Sequence, residues 1–296
     1  MKFVQFHVPG QGKRLGKIDG DSVIDITCSD CATMLDLVNI AAEAEQSLDQ
    51  AAACCEAGKT YAYAELDTAP SPDHPHLLIP IDSPEVWGCG VTYLRSASTR
   101  DEDSEQDIYS RVYNSTRPEI FFKATPSRCV GPNGDVGIRN DSALTATEPE
   151  LAFLLGRKDQ ILGYTACNDV SAWDLERENP LYLPQSKTFG CCCALGPCIA
   201  STESVTDPYS LQITCKIVRD GEILYEGEVS SSQIIFKFEQ LAEILSRNNP
   251  IPAGTVVSTG TGIMVPNEFA HRPCDRVEIE IEGIGRLVNG VSALEE

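Results

Sequence analysis

Histidine is nearly missing from this chain: 296 residues include four, at positions 7, 74, 76 and 271. None lies in sequence beside the acids discussed below, which argues against chemistry driven by imidazole as general acid or base. Basic residues are scarce too, with 23 Lys and Arg against 44 Asp and Glu and a formal net charge of −21. So acidic a surface repels phosphate backbones and anionic headgroups, and neither nucleic acid nor a membrane surface is expected as a partner. No run of about 18 apolar residues occurs. The opening MKFVQFHVPGQGKRLGK also lacks the apolar core and small-residue cleavage site of a secretory signal, so the expected location is cytoplasmic. There is no internal repeat and no low-complexity segment.

Cysteine is the exception to this economy, with thirteen. Many sit in apolar runs (Cys167, Cys191, Cys192, Cys193, Cys198), and their number is odd, so reduced buried thiols are expected rather than a disulfide framework. CSDC, from Cys28 to Cys31, has metal-like spacing. No second such pair and no spaced histidine pair follows it, and a structural zinc site needs four ligands. The CCC run is not read as a nucleophile, because its apolar neighbours leave a thiol inert.

Hydrophobic residues make up 42% of the chain, enough for a sizeable core. Residues 1–70 mix short strands (KFVQFHV, SVIDIT) with an Ala-rich helical stretch, MLDLVNIAAEAEQSLDQAAACCEAG, ended by a glycine. The connector APSPDHPHLLIPIDSP holds five prolines in 16 residues and marks a boundary between a small N-terminal α/β domain and a catalytic domain over 77–296. Beyond it strands dominate. YSLQITCKIVRDGEILYEGEV reads as a hairpin around Asp220 and Gly221, and IIFKFEQLAEILSR as a helix. VEIEIEGIG alternates, with Val277, Ile279 and Ile281 inward. The fold class is α+β, mostly β.

The most informative stretch is TEPELAFLLGRKDQILGYTACNDV, residues 147–170. An apolar run, a turn containing glycine and a second run rich in β-formers predict a hairpin. With the turn centred between Lys158 and Asp159, partners sum to about 317, so Glu148 lies opposite Asp169. Glu148 and Glu150 share a face. Three like charges on one patch call for something positive, and oxygen donors without imidazole or thiolate suit Mg²⁺, with Mn²⁺ or Ca²⁺ as substitutes. The alternative is two strand ends with solvated acids.

RPEIFFKATPSRCVGP puts Glu119, Phe121 and Lys123 on one strand face, where Lys123 either meets an anionic substrate or forms an edge ion pair. Lys187, between a proline-containing loop and the Cys-rich run, either snorkels or faces a site. Three carboxylates, one dication, a 2-oxo acid anion and two lysines sum to zero charge, as a buried site requires. The STGTG loop, Thr259 to Gly262, is either a turn or a cradle for a carboxylate.

PEVWGCGVTY, RPEIFFKATPSRCVG, EPEL, GYTACNDVSAWDLERENPLYLPQSK and VVSTGTG together resemble the fumarylacetoacetate hydrolase superfamily, and within it the branch that dehydrates 2-keto-3-deoxy sugar acids. The resemblance covers residues 77 to the C-terminus. It implies mixed β-sheets rolled into a barrel-like structure, and Mg²⁺ on Glu148, Glu150 and Asp169. It also implies substrate contacts from Lys187, Thr261, Gly260 and Tyr93, proton transfer by Glu119, and a homodimer or homotetramer. Many C–C hydrolases of that superfamily carry a water-activating histidine three residues after the lid tyrosine. Here Ser96 stands there, and Thr99 three further on, which favours elimination of water over hydrolysis. A second departure is the missing proline after TGT, which implies a differently shaped carboxylate pocket. An acylpyruvate-type hydrolase on the same metal is the rival reading, and an idle metal-stabilised oligomer the rival of another class.

Overall fold

The computed structural model describes residues 1–94 and 108–295; Ser96 and Thr99 lie outside them. Among the described residues the alternating and apolar segments form two main sheets and a two-stranded pair, Thr145–Ala146 with Ser171–Ala172. The larger has twelve strands and runs, edge to edge, through Thr60–Ala62, Ser22–Asp25, Gly12–Asp19, Lys2–Val8, Cys193–Ser201, Ile161–Asp169, Pro149–Leu155, Val256–Ser258, Val86–Gly90 and Glu119–Ala124. His76–Leu77 and Cys129–Val130 pair off this path. Two of its pairings are parallel, Val256–Ser258 on Val86–Gly90 and Cys193–Ser201 on Cys129–Val130, so the sheet is mixed. The N-terminal strands join it where Lys2 pairs with Ala200 and Phe3 with Ile199.

Glu222–Ser230, Gln212–Arg219, Arg276–Ile281, Gly285–Ala293 and Asp135–Ile138 make the five-stranded second sheet. The Asp220–Gly221 turn joins its first two strands, and Val277, Ile279 and Ile281 face inward as the alternation predicts. Mostly β with mixed sheets is therefore the observed class. The barrel-like roll is not a closed barrel among the described residues, because the large sheet ends at unpaired edges, Thr60–Ala62 and Glu119–Ala124.

The central hairpin strands Pro149–Leu155 and Ile161–Asp169 are buried nearly throughout. Both faces are covered, which is why they read as apolar runs rather than alternating ones. Phe153 stacks on Phe238 of the helix Phe238–Ser246 at 5.5 Å, and one contiguous core extends from Phe3 and Phe6 to Ile279 and Leu287.

The Ala-rich stretch is two helices rather than one, Met34–Glu43 and Leu48–Ala52. Ser47 and Gln50 form a capping box that starts the second, while Glu45 turns the chain at φ 50°. A serine that satisfies orphan N–H groups competes with helix continuation there. Among the described residues no helix is long and apolar enough to cross a membrane.

Candidate metal centre and active site

The hairpin register is the one the spacing predicts. Pro149 pairs with Asn168 and Glu150 with Cys167, and the Asp169 amide donates to the Glu148 carbonyl at 3.0 Å. Glu148, Glu150 and Asp169 are thereby gathered, 2%, 1% and 1% exposed, with ligand oxygens all within 4.8 Å of one another. Among the described residues this is the only such trio.

Each carboxylate is held by a different part of the chain. Trp173, which opens the helix Trp173–Glu178, donates its indole N–H to Glu148 Oε1 at 2.6 Å. The Ser258 hydroxyl and the Gly260 amide, the latter at 2.8 Å, both donate to Glu150 Oε2. Gly260 has φ 89°, and a Cβ there would lie 2.2 Å from Thr92 Oγ1, so the loop can present its amide only with glycine.

Two ammoniums meet the triad. Lys187, at the end of the short helix Leu183–Lys187, is 1% exposed; its Nζ lies 3.0 Å from Glu148 Oε1, 3.0 Å from Asp169 Oδ2 and 2.7 Å from Ser171 Oγ. It does not snorkel. Lys123 is fully buried, with Nζ 2.6 Å from Asp169 Oδ1, 2.8 Å from the Val170 carbonyl and 2.5 Å from the Lys187 carbonyl. An ammonium has three donors and no acceptor; two go to backbone carbonyls, and Asp169 Oδ1 is met as an ion pair. Lys123 thus pairs with Asp169 from behind, the ion-pair alternative of its two expected roles. Burial pulls its ammonium down, the Asp169 charge together with the neighbouring Cys192 and Cys193 raises it, and the net shift is upward.

Glu119 is on the same strand as Lys123 and lines a small cavity of about 70 Å³ with Val91, Tyr109, Val112, Glu176, Pro180 and Leu183. Gly90 opposite makes room for it, since a Cβ there would fall 1.8 Å from Glu119 Oε2. Tyr93 is 1% exposed, and its hydroxyl has no hydrogen-bond partner among the described residues. Burial, and then the Glu150 charge, hold that phenol above its ordinary range. Its ring lies against Gly262, where a Cβ would approach Cδ1 to 2.6 Å. The Thr261 hydroxyl accepts from the Ile263 amide at 3.1 Å, so it is engaged within the loop.

Burial, followed by the charges of Asp169 and Glu148, pushes the Glu150 carboxyl up to about 8. Three carboxylates with two ammoniums are one positive charge short of balance. A dication turns this deficit of one into an excess of one that a monoanionic ligand would cancel, and an all-oxygen donor set selects a hard ion such as Mg²⁺. Trp173, Ser258 and Ser171 could not be found from spacing, because they reach the triad from separate elements. Gly88 and Gly90 did leave a signal: glycines two apart within a strand mark close approach on one face.

A dry triad of oxygen donors, lysine-braced and open to one dication, defines a hard-cation site for an anionic ligand. The chain belongs to the fumarylacetoacetate hydrolase family, whose C-terminal domain profile matches residues 85–292. It is 48% identical to 2-dehydro-3-deoxy-D-arabinonate dehydratase of Saccharolobus solfataricus over 217 residues, 72% of this chain and 73% of that one. It is 39% identical to a probable 2-keto-3-deoxyxylonate dehydratase of Haloferax volcanii over 298 residues, 99% of this chain and all of the other. A solved 2-keto-3-deoxy-D-arabinonate dehydratase, complexed with magnesium and 2,5-dioxopentanoate, superimposes with a TM-score of 0.86 at 37% identity, covering both chains in full.

Proposed function

We propose that the chain is a Mg²⁺-dependent dehydratase of a 2-keto-3-deoxy sugar acid, yielding a 2-oxo acid semialdehyde. The observation that carries this reading is the buried triad one positive charge short of balance, in a chain 48% and 39% identical to enzymes named for this dehydration. Glu148, Glu150 and Asp169 hold the cation, which when bound supplies Lewis-acid polarisation of a 2-oxo group and its carboxylate. Lys187 and Glu119 divide the proton transfers, one removing a proton from C3 and the other assisting hydroxide departure from C4; loss of a C5 proton and return of one to C3 then give an enol that ketonises to the aldehyde. Lys187 is suited by its place across two ligands, Glu119 by its cavity. Tyr93, with its unpartnered hydroxyl, and the Gly260–Thr261 loop receive the substrate's polar groups.

Residues 1–70 act as a small N-terminal α/β unit on the catalytic domain over 77–296. The enzyme works as a homodimer or homotetramer in the cytoplasm, which size-exclusion chromatography with light scattering and cell fractionation test. For the reaction, mass spectrometry of products decides: a 2-keto-3-deoxypentonate should lose one water and keep all five carbons. Release of pyruvate from acylpyruvates, with no turnover of any 2-keto-3-deoxy acid, would point to hydrolysis instead.

A further inference from the structure

Of the groups that grip the acid triad, Trp173 stands apart, because an indole is large, neutral and able only to donate. The two-stranded pair of Thr145–Ala146 with Ser171–Ala172 carries the chain past its ligands, and there the Trp173 amide donates to the Leu144 carbonyl at 2.9 Å. The backbone of Trp173 is thereby fixed. Its side chain is 4% exposed and packs in a cluster with Ala146, Ile217, Met264 and Val265, while the Arg177 guanidinium lies over the ring at 5.3 Å. The ring is clamped from several elements. Its one polar atom meets Glu148 Oε1 at 2.6 Å, the short range of a hydrogen bond to a carboxylate. Lys187 Nζ lies 3.0 Å from that same oxygen, so two protein groups converge on Oε1. Glu150 is treated likewise, with the Ser258 hydroxyl and the Gly260 amide both on its Oε2.

We propose that Trp173 is a positioning residue for the cation: its indole N–H fixes the rotation of the Glu148 carboxylate, so that Oε1 belongs to the protein and Oε2 is the ligand atom. The inference rests on the Mg²⁺ reading of the triad and adds to it a residue that acts through Glu148. Neutrality is part of the role. An indole orients the carboxylate without compensating its charge, which stays available to the dication. Partners that orient a ligand from outside set metal affinity by roughly 10–100-fold, and a ring held by its packing gives little room for the carboxylate to turn away. The same hydrogen bond makes Trp173 a reporter. A cation that draws charge from Glu148 weakens the bond at Oε1 and so changes the surroundings of the indole.

The test uses the full-length protein stripped of metal by a chelator, dialysed, and titrated with Mg²⁺ in a calorimeter. Trp173→Phe keeps an apolar ring and deletes the N–H, and it should raise the Mg²⁺ dissociation constant roughly 10–100-fold. At saturating Mg²⁺ its kcat should return toward the wild-type value, with KM for a 2-keto-3-deoxy acid little changed, since the lost contact acts on the metal ligand. A second variant leaves Trp173 in place. In Trp87→Phe, Trp173 is the one tryptophan left, and its fluorescence should shift on Mg²⁺ addition with the midpoint that calorimetry gives. That readout stands even if Trp173→Phe fails to fold. Wild-type Mg²⁺ affinity in folded Trp173→Phe would overturn the proposal and leave the metal reading intact. So would Trp173 emission that ignores Mg²⁺ while calorimetry records binding. Failure of the wild type to bind Mg²⁺ at all would overturn both.

Discussion

The acid triad and the cysteines near the N-terminus differ in how tightly the fold holds them. Glu148, Glu150 and Asp169 stand on paired strands of set register, and an indole, a hydroxyl, a loop amide and two ammoniums bind them. The thiols come from a turn and a helix end, two of them in solvent. The cause is the cost of burial. An ionised carboxylate cannot be left dry without partners, so the oxygen site must be built whole. A protonated thiol behaves as a small apolar group and needs no such partners.

The largest effect expected is from breaking the oxygen site. Chelation should lower turnover roughly a thousandfold or more, because Lewis-acid stabilisation is worth several kcal/mol and each 1.36 kcal/mol is tenfold. Mg²⁺ or Mn²⁺ should restore it, and Glu148→Gln or Asp169→Asn should raise the metal concentration needed; steady-state assays across metal concentration read both. Lys187→Met should come next, with a loss of roughly 10²-fold or more in kcat and unchanged circular dichroism, the range of a lost proton-transfer group. Wild-type turnover and affinity in this variant would leave the amine a structural part only.

Lys123→Met separates anchoring from substrate binding. It leaves the buried Asp169 charge half-compensated, so unfolding should become easier by about 3–5 kcal/mol, the cost of breaking a buried pair. Mg²⁺ should recover part of this, and KM should move little; denaturant melts and kinetics on one preparation check it. A large rise in KM with intact stability would restore the substrate-contact role.

A smaller effect concerns pH. Burial and the neighbouring acids lift the folded Glu150 carboxyl from its ordinary 4.5 to about 8. Between those values the folded state keeps a proton that the unfolded state has lost. Stability of the chelated protein should thus fall as pH rises from 4.5 to 8 and level off above. Mg²⁺, which holds the carboxylate ionised, should flatten that slope, and so should Glu150→Gln; thermal melts across pH measure it. Smallest of all, the net charge of −21 should make Tm climb modestly with salt as self-repulsion is screened, at the thiol end as much as at the triad.

Much of the site is local, and so it was legible. The turn in GRKDQ sets the sum of paired positions, and the observed pairs, 149 with 168 and 150 with 167, give the predicted 317. Strand alternation alone puts Glu148 and Glu150 on one face, and the Asp220–Gly221 hairpin and the inward Val277, Ile279 and Ile281 follow from the same period. For Lys123 two roles stayed open, because periodicity tells which face a side chain leaves by, not what already occupies that face. The helical stretch is divided in two by one capping serine, Ser47, whose bond to the Gln50 amide competes with propensity only when the chain has room to turn.

The sequence by itself determined the hairpin, its register and the charge to be neutralised, since each depends on residues close along the chain or on composition. The tertiary structure decided which distant groups meet. Trp173 reaches Glu148, Ser258 and Gly260 reach Glu150, and Lys123 pairs with Asp169. Those meetings depend on how the strands order themselves in a twelve-stranded sheet and on loop ties such as Gly58 to Asp25. Burial of apolar surface drives that assembly without regard to direction, so no local spacing encodes it.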